Sequence, residues 1–225
     1  HVGIALGPDD SPDADALLER ARGALRQAEA SAPGSSSFYS PEMQSRSRQR
    51  ISLEASLRNA LTQGEMRVVY QPRVDLQSLQ VVGCEALLRW QSPRHGDVPP
   101  QDFIPIAEET GQIWELGTWV LEQALRQSAA WRKRYAREVA MAVNVSPRQI
   151  SHPLLARTVE TALVDARVPA SSLELEITET CMIEAGAVAR RVLERLRADG
   201  VHVAIDDFGT GYSSLGNLSQ LPIDS

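Results

Sequence analysis

The sequence predicts an α/β fold in which strands followed by helices build a parallel, barrel-type sheet from about residue 66 onward. Apolar, strand-like segments alternate there with long amphipathic segments, which predicts crossover helices covering both faces of a parallel sheet. The predicted strands are Met66 to Val74, Gln80 to Trp90, Val139 to Ser146, Leu173 to Glu179 and Val201 to Phe208. The predicted helices run from about Pro105 to Tyr135, Pro153 to Ala166 and Glu184 to Asp199.

The first two of these strands depart from the parallel rule. The link between them, Asp75 to Leu79, is too short for the crossover helix that a parallel pair requires. We therefore expect this pair to be antiparallel.

The N-terminal part has a separate pattern. Val2, Ile4 and Leu6 indicate a short strand, and a helix is predicted from about Ala14 to Ala28 with Asp13 as its N-cap. Residues 31–37 have the Ser, Pro and Gly content of a linker. A further helix is predicted from Pro41 to Gly64, polar at first and amphipathic later.

Composition narrows the function classes. The chain has 225 residues, 43% hydrophobic and 23% charged, which is typical of a globular protein. A net charge of −6 argues against binding to polynucleotides, but allows a small phosphorylated ligand that is held through metal ions. Cys84 and Cys181 are too few for a disulfide framework, which favours a cytoplasmic location.

Both ends of the sequence look cut. The chain begins His1-Val-Gly-Ile-Ala5 without a Met and ends Leu221-Pro-Ile-Asp-Ser225 without a closing helix. No apolar run approaches the ~20 residues that cross a bilayer. We therefore expect an internal piece of a longer protein, which could reach a membrane only through segments upstream.

Residues that can bind metal recur on the predicted strands, each two positions after a small or polar residue. The pairs are Gly83 and Glu85, Ala142 and Asn144, Glu174 and Glu176, and Ala204 and Asp206. The opposite parity is bulky, as at Val143, Val145, Leu175, Ile177, Val203 and Ile205. Because side chains alternate between the faces of a sheet, Glu85, Asn144, Glu176 and Asp206 are predicted to share one inner face near the carboxyl ends of the strands.

Each of these residues taken alone has a structural explanation, since an acidic residue at a strand end is often a helix cap or a surface charge. Several carboxylates on one inner face would repel each other, and a hard divalent cation relieves that repulsion. All-oxygen ligands favour Mg²⁺ or Mn²⁺, and the adjacent Asp206 and Asp207 could serve two metal ions. The following loop contains Gly209 and Gly211, which allow a close approach to phosphate.

Several separated motifs, in the same order, resemble those of EAL-domain cyclic di-GMP phosphodiesterases. They are Tyr70-Gln-Pro72, Cys84-Glu-Ala-Leu-Leu-Arg-Trp90, Phe103-Ile-Pro-Ile-Ala-Glu-Glu-Thr-Gly111, Trp119-Val-Leu121, Asn144-Val-Ser146, Leu175-Glu-Ile-Thr-Glu179 and Asp206-Asp-Phe-Gly-Thr-Gly-Tyr-Ser-Ser-Leu215. The resemblance covers about Ile51 to Ser225. It implies a modified (β/α)₈ TIM-type barrel whose first strand is antiparallel, here incomplete because its last strands are missing.

The resemblance also implies the roles of individual residues. Glu85, Asn144, Glu176 and Asp206 would hold a first metal ion and Asp207 a second, either Mg²⁺ or Mn²⁺. Glu179 would steady the loop after its strand. The residues that the resemblance implies to be catalytic are Glu85, Glu179, Asp206 and Asp207. Gln71, Leu88 and Arg89 would contact the dinucleotide, with Arg89 on a phosphate. A homodimer through this domain is also implied.

The N-terminal part resembles the end of a GGDEF diguanylate cyclase domain. The similarity lies in His1-Val-Gly-Ile-Ala5, Asp13-Ala-Asp-Ala-Leu-Leu18 and the helix that follows. It departs from that family at Glu29, where a Lys is usual, and at Gly34-Ser-Ser36. The expected organisation is residues 1–40 as a GGDEF remnant, 41–50 as a linker helix and 51–225 as a truncated EAL domain.

The leading hypothesis is metal-dependent hydrolysis of cyclic di-GMP to the linear dinucleotide pGpG in bacterial signalling. The alternatives are an EAL domain that binds cyclic di-GMP without turnover and a hydrolase of another phosphodiester. The family's catalytic Lys is expected about two residues beyond Ser225, so we expect the isolated fragment to be inactive and prone to aggregation through an open sheet edge.

Overall fold

A computed structural model describes residues 1–29, 31–178 and 186–206 of the chain. The chain divides into two compact units, His1–Leu57 and Arg58–Ser225. No helix among the described residues is long and apolar enough to cross a membrane.

The first unit contains a small parallel sheet, one complete helix and most of a second helix. Its elements are β1 (Val2–Ile4), α1 (Ala14–Glu29), β2 (Ser36–Phe38) and most of α2 (Pro41–Ala60). Helix α1 begins as predicted, because an Asp13 side-chain oxygen accepts a hydrogen bond from the backbone N–H of Ala16 at 2.8 Å. Gly3 lets α1 lie directly on β1, since a Cβ there would stand 2.7 Å from the Cα of Leu25.

Three predictions for this part of the chain are wrong. Strand β1 ends at Ile4 rather than Leu6, because the Leu6 N–H donates to the Asp10 carboxylate at 2.6 Å and the chain turns. The supposed linker contains the start of β2, which pairs in parallel with β1 through Ser36 opposite Val2. Helix α2 ends at Ala60, before the turn in which Gly64 has a φ of 71°.

The second unit is built on one mainly parallel sheet. Its strands are β3 (Met66–Val74), β4 (Val81–Ser92), β5 (Gly96–Val98), β6 (Ala140–Asn144), β7 (Leu173–Thr178) and β8 (His202–Asp206). The order is β3-β4-β6-β7-β8, with β5 paired to β4. The β3–β4 pair is antiparallel and the pairs from β4 to β8 are parallel, as predicted. Strand β5 was not predicted; it returns against β4 after a turn in which Gly96 has a φ of 70°.

The helices that cover this sheet are α3 (Pro100–Thr110), α4 (Ile113–Tyr135), α5 (Pro147–Ile150), α6 (Leu155–Ala166) and α7 (Gly186–Ala198). The single helix expected from Pro105 is two helices. It breaks at Gly111, which has a φ of 82° and caps α3 by donating its N–H to the Glu108 carbonyl at 3.2 Å. Pro105 lies inside α3.

The core lies between the sheet and the helices. The bulky residues of the strands are buried there, as the alternation predicted: Met141, Val143, Val145, Leu175, Ile177 and Val203. Ile205 packs against the same cluster while remaining partly exposed. The alternate residues of these strands, which include the polar ones, therefore point to the other face of the sheet.

Candidate active site

Asn144 and Glu176 lie side by side at the carboxyl ends of β6 and β7. They are partners in the parallel register, and Glu176 is in turn level with Ala204 of β8. Glu85 is level with Ala142, two residues before Asn144 in the strand direction. Asp206 is opposite Thr178, two residues after Glu176. The structure therefore brings the predicted residues to one face of the sheet, each strand placing its residue level with the previous one or further toward the carboxyl end.

A direct hydrogen bond joins the first two of these side chains. The Asn144 amide donates from Nδ2 to Oε1 of Glu85 at 2.7 Å. This bond orients the Glu85 carboxylate toward the strand ends, and the small Ala142 beside it leaves room for both groups.

Arg73 of β3 is a site residue that the sequence did not predict. Its guanidinium forms a hydrogen-bonded ion pair with Glu174, and its Nη1 lies 3.5 Å from Oε1 of Glu176. The pair with Glu174 raises the pKa of Arg73 further, so it remains charged. The available signal was its parity, because Arg73 lies opposite Gly83 and shares the face of Glu85. Its contact with β7 needs the curvature of the sheet, which a linear sequence does not show.

Glu176 has the clearest electrostatic anomaly of the site. Burial, together with the negative charges of Glu85, Asp206 and Glu174, raises its pKa to about 7, although the positive charge of Arg73 lowers it. Its side chain is 13% exposed. The site thus holds more negative charge than its own residues neutralise, which a bound cation would correct.

The donor set fits a hard divalent cation by its chemistry. Carboxylate oxygens come from Glu85, Glu176 and Asp206, and Asn144 contributes an amide. In the ranges that the structure describes, no three His, Cys, Asp or Glu side chains converge closely enough to hold a metal ion. Two of the proposed donors, Asn144 and Glu85, are in direct hydrogen-bond contact at 2.7 Å.

The predicted dinucleotide contacts divide between the two faces of the sheet. Gln71 pairs directly with Glu85 across β3 and β4, and Arg89 has the same parity. Leu88 does not join them, because it is an odd number of residues from Glu85 and packs against the hydrophobic core. Leu87, its neighbour, has the parity of the site and is partly exposed.

Some predicted residues lie outside the described part of the chain. These are Glu179, Asp207 and the Gly209 to Gly211 loop, together with Cys181. Their roles stay predictions.

Parallel strands covered by helices, with acidic and amide groups at the carboxyl strand ends, define an α/β protein whose donor groups suit a divalent cation. Residues 54–225 match the EAL domain, and the chain belongs to this family.

The chain is similar to two proteins that are named for cyclic di-GMP chemistry. It is 38% identical over 224 residues to the cyclic di-GMP phosphodiesterase PdeR of Escherichia coli, covering 100% of this chain and 34% of that protein. It is 38% identical over 221 residues to the bifunctional diguanylate cyclase/cyclic di-GMP phosphodiesterase MucR of Pseudomonas aeruginosa, covering 98% of this chain and 32% of that protein. The chain thus spans about a third of the length of these relatives.

Solved structures agree with the family. The PaMucR phosphodiesterase in complex with c-di-GMP aligns with a TM-score of 0.73 and 41% identity, covering 77% of this chain and 70% of that one. The FimX EAL domain of Pseudomonas aeruginosa bound to c-di-GMP aligns with a TM-score of 0.67 and 25% identity, covering 76% of this chain and 68% of that one. These neighbours imply a TIM-like α/β barrel for the second unit.

Proposed function

We propose that the protein containing this chain hydrolyses one phosphodiester bond of cyclic di-GMP and releases the linear dinucleotide pGpG. Membership of the EAL family supports this, as do relatives named as cyclic di-GMP phosphodiesterases and neighbours solved with that ligand. The observation that carries the proposal is the line of Glu85, Asn144 and Glu176 on one inner face, with the pKa of Glu176 raised to about 7 by burial and by neighbouring carboxylates.

Glu85, Asn144, Glu176 and Asp206 would hold one Mg²⁺ or Mn²⁺ ion, and Asp207 would hold a second. Such a pair supplies an activated water and charge stabilisation for both oxygens of an in-line displacement. The residues of this chain supply the orientation. Asn144 fixes the Glu85 carboxylate through their hydrogen bond, and the small residues Ala142 and Ala204 beside the ligands leave the face open.

The substrate contacts follow from the same face. Gln71 and Arg89 flank Glu85 on β3 and β4 and would contact the dinucleotide, with the Arg89 guanidinium on a phosphate. Glu179 would steady the loop that follows β7. Leu88 is partly buried against the core cluster on the opposite face, and its contact with the dinucleotide stays a prediction.

The wider organisation is also proposed. Residues 1–40 would be the end of a GGDEF-like domain, 41–50 a linker helix and 51–225 the EAL domain. The protein would form a homodimer through the EAL domain and act in the cytoplasm. Any membrane association would come from other segments of the protein.

The experiment is product analysis on the full-length protein with cyclic di-GMP and Mg²⁺ or Mn²⁺. Chromatography should show pGpG, and chelation of the metal should abolish it. Glu85→Gln should remove turnover, because it removes a ligand charge. Glu122→Gln is a matched control, since Glu122 lies on helix α4 and pairs only with Arg126 among the ion pairs of the described residues.

The result separates the candidate functions. Tight cyclic di-GMP binding without pGpG would favour the receptor alternative. Turnover of another phosphodiester with no effect on cyclic di-GMP would replace the proposed substrate.

A further inference from the structure

A capping box follows directly on the strand end that carries Asn144. Ser146 is the N-cap of α5, and its side-chain oxygen accepts a hydrogen bond from the Gln149 backbone N–H at 3.3 Å. The Gln149 side chain returns the contact, since its Oε1 accepts from the Ser146 backbone N–H at 3.1 Å. The two bonds fix the chain two residues beyond Asn144.

Gln149 is held from its other side by helix α4. The residue is 5% exposed, and its side chain lies against Gly117. A Cβ on Gly117 would stand 2.7 Å from Cδ and 2.9 Å from Oε1 of Gln149, and closer still to Nε2. The end of a long side chain can often rotate away from such a clash. The Gln149 side chain can rotate away only if it loses its hydrogen bond to Ser146. The capping box therefore forms because residue 117 is a glycine.

This contact is linked to the site through a short stretch of backbone. The Val145 N–H donates to the Glu176 carbonyl at 2.8 Å, which ties the strand end to β7. Asn144, one residue earlier, bonds Glu85 at 2.7 Å. A second contact joins the same elements, since the Trp114 and His152 rings of α4 and the segment after α5 lie 4.0 Å apart.

We propose that Gln149 is a positioning residue for Asn144 and that Gly117 is the residue that admits it. The pair forms a lock between α4 and the end of β6 that orients the Asn144 amide toward Glu85. The role of Asn144 as a metal ligand rests on the proposed function; the lock itself does not.

The first test compares two substitutions at Gln149 in the full-length protein. Gln149→Met keeps the volume and loses the acceptor, while Gln149→Glu keeps an acceptor for the Ser146 N–H. We expect Gln149→Met to weaken Mn²⁺ binding about 10-fold by calorimetry, the usual size for residues that orient metal ligands. Gln149→Glu should stay within about threefold of the unsubstituted protein.

A second readout needs no metal. Hydrogen exchange of peptides over residues 140–152 in the metal-free protein should be faster in Gln149→Met and unchanged in Gln149→Glu. If the unsubstituted protein binds no Mn²⁺, the proposed function fails while this measurement still tests the lock.

The third test uses the close approach of Gly117. Gly117→Ala should weaken Mn²⁺ binding as Gln149→Ala does, because both break the bond to Ser146. The double variant should be no worse than Gln149→Ala, since the shortened side chain leaves room for the new Cβ. Gly23→Ala is the matched control, because it too adds a Cβ within a helix but meets nothing closer than 3.9 Å.

Each outcome decides the proposal. Unchanged Mn²⁺ affinity and exchange in Gln149→Met, or effects of Gly117→Ala and Gln149→Ala that add in the double variant, would overturn it. If Gln149→Met does not fold, Ser146→Ala takes its place. It removes the other half of the capping box and should speed exchange over the same peptides; unchanged exchange there would also overturn the lock.

Discussion

The raised pKa of Glu176 predicts that metal binding depends on pH. Its pKa is raised to about 7 by burial and by the charges of Glu85, Asp206 and Glu174. Below that pH the metal-free protein holds a proton on Glu176, which a cation must displace. We therefore expect Mn²⁺ affinity to fall about tenfold per pH unit below 7 and to level off above 8.

Calorimetry in buffers of different ionisation enthalpy measures this directly. About one proton should be released per bound ion at pH 6 and nearly none at pH 8.5. Glu176→Gln serves as the control, because its amide does not titrate and its weaker binding should lose this slope. Equal affinities at pH 6 and pH 8 in the unsubstituted protein would contradict the assignment.

Arg73 places a positive charge beside the proposed metal ligands, with Nη1 3.5 Å from Glu176. Removing that charge should strengthen cation binding. We expect Arg73→Met to bind Mn²⁺ more tightly, on the order of tenfold, because the guanidinium is half-exposed and the repulsion is partly screened. Arg73→Lys keeps the charge and should bind like the unsubstituted protein. Weaker binding by Arg73→Met would instead show that Arg73 organises Glu176.

The sequence predicted the positions of some site residues and not of others. Period-2 alternation placed Glu85, Asn144 and Glu176 on one face, because that geometry is local to each strand. The same rule places Leu88 on the opposite face, so its predicted contact with the dinucleotide does not follow from alternation. Arg73 could not be paired with Glu174 in advance, since β3 and β7 approach only through the curvature of the sheet.

The sequence predicted the elements that have a strong alternation of apolar and polar residues. It did not predict the short strands, which exist only because they pair with a neighbouring strand. The long strands carry a strong alternation, whereas β2 and β5 are three-residue strands defined by their partners. The break between α3 and α4 did have a signal in the sequence, because Gly111 is a typical left-handed C-cap. The amphipathic pattern on both sides of Gly111 outweighed that signal.

Substitution of Gly111 tests how the break between α3 and α4 contributes to stability. A Cβ there meets nothing within 4 Å, so substitution costs only the backbone conformation at a φ of 82°. We expect Gly111→Ala to lower the free energy of unfolding of this unit by about 1 kcal/mol in urea titrations. Gly23→Ala, inside helix α1, should instead stabilise its own unit by up to about 1 kcal/mol. The same sign for both variants would contradict this account.

At the scale of the whole molecule, an acidic chain would have to bind the proposed ligand, cyclic di-GMP, which carries two phosphates. A net charge of −6 and the cluster around Glu176 should repel cyclic di-GMP when no metal is bound. With two divalent ions bound, these carboxylates would be largely neutralised, and Arg89 would contact a phosphate as proposed. The metal ions would thus act in binding as well as in chemistry.

This change in local charge predicts opposite salt effects with and without metal. In EDTA, raising NaCl from 20 to 200 mM should strengthen cyclic di-GMP binding, because salt screens repulsion between like charges. With Mg²⁺ present, the same change should weaken binding of a phosphorothioate analogue that resists hydrolysis. Calorimetry on the full-length protein gives both slopes, and Glu85→Gln should flatten the first by removing one charge. Salt weakening the binding equally with and without Mg²⁺ would place the ligand on a basic surface elsewhere, away from the carboxylates of β4, β6 and β7.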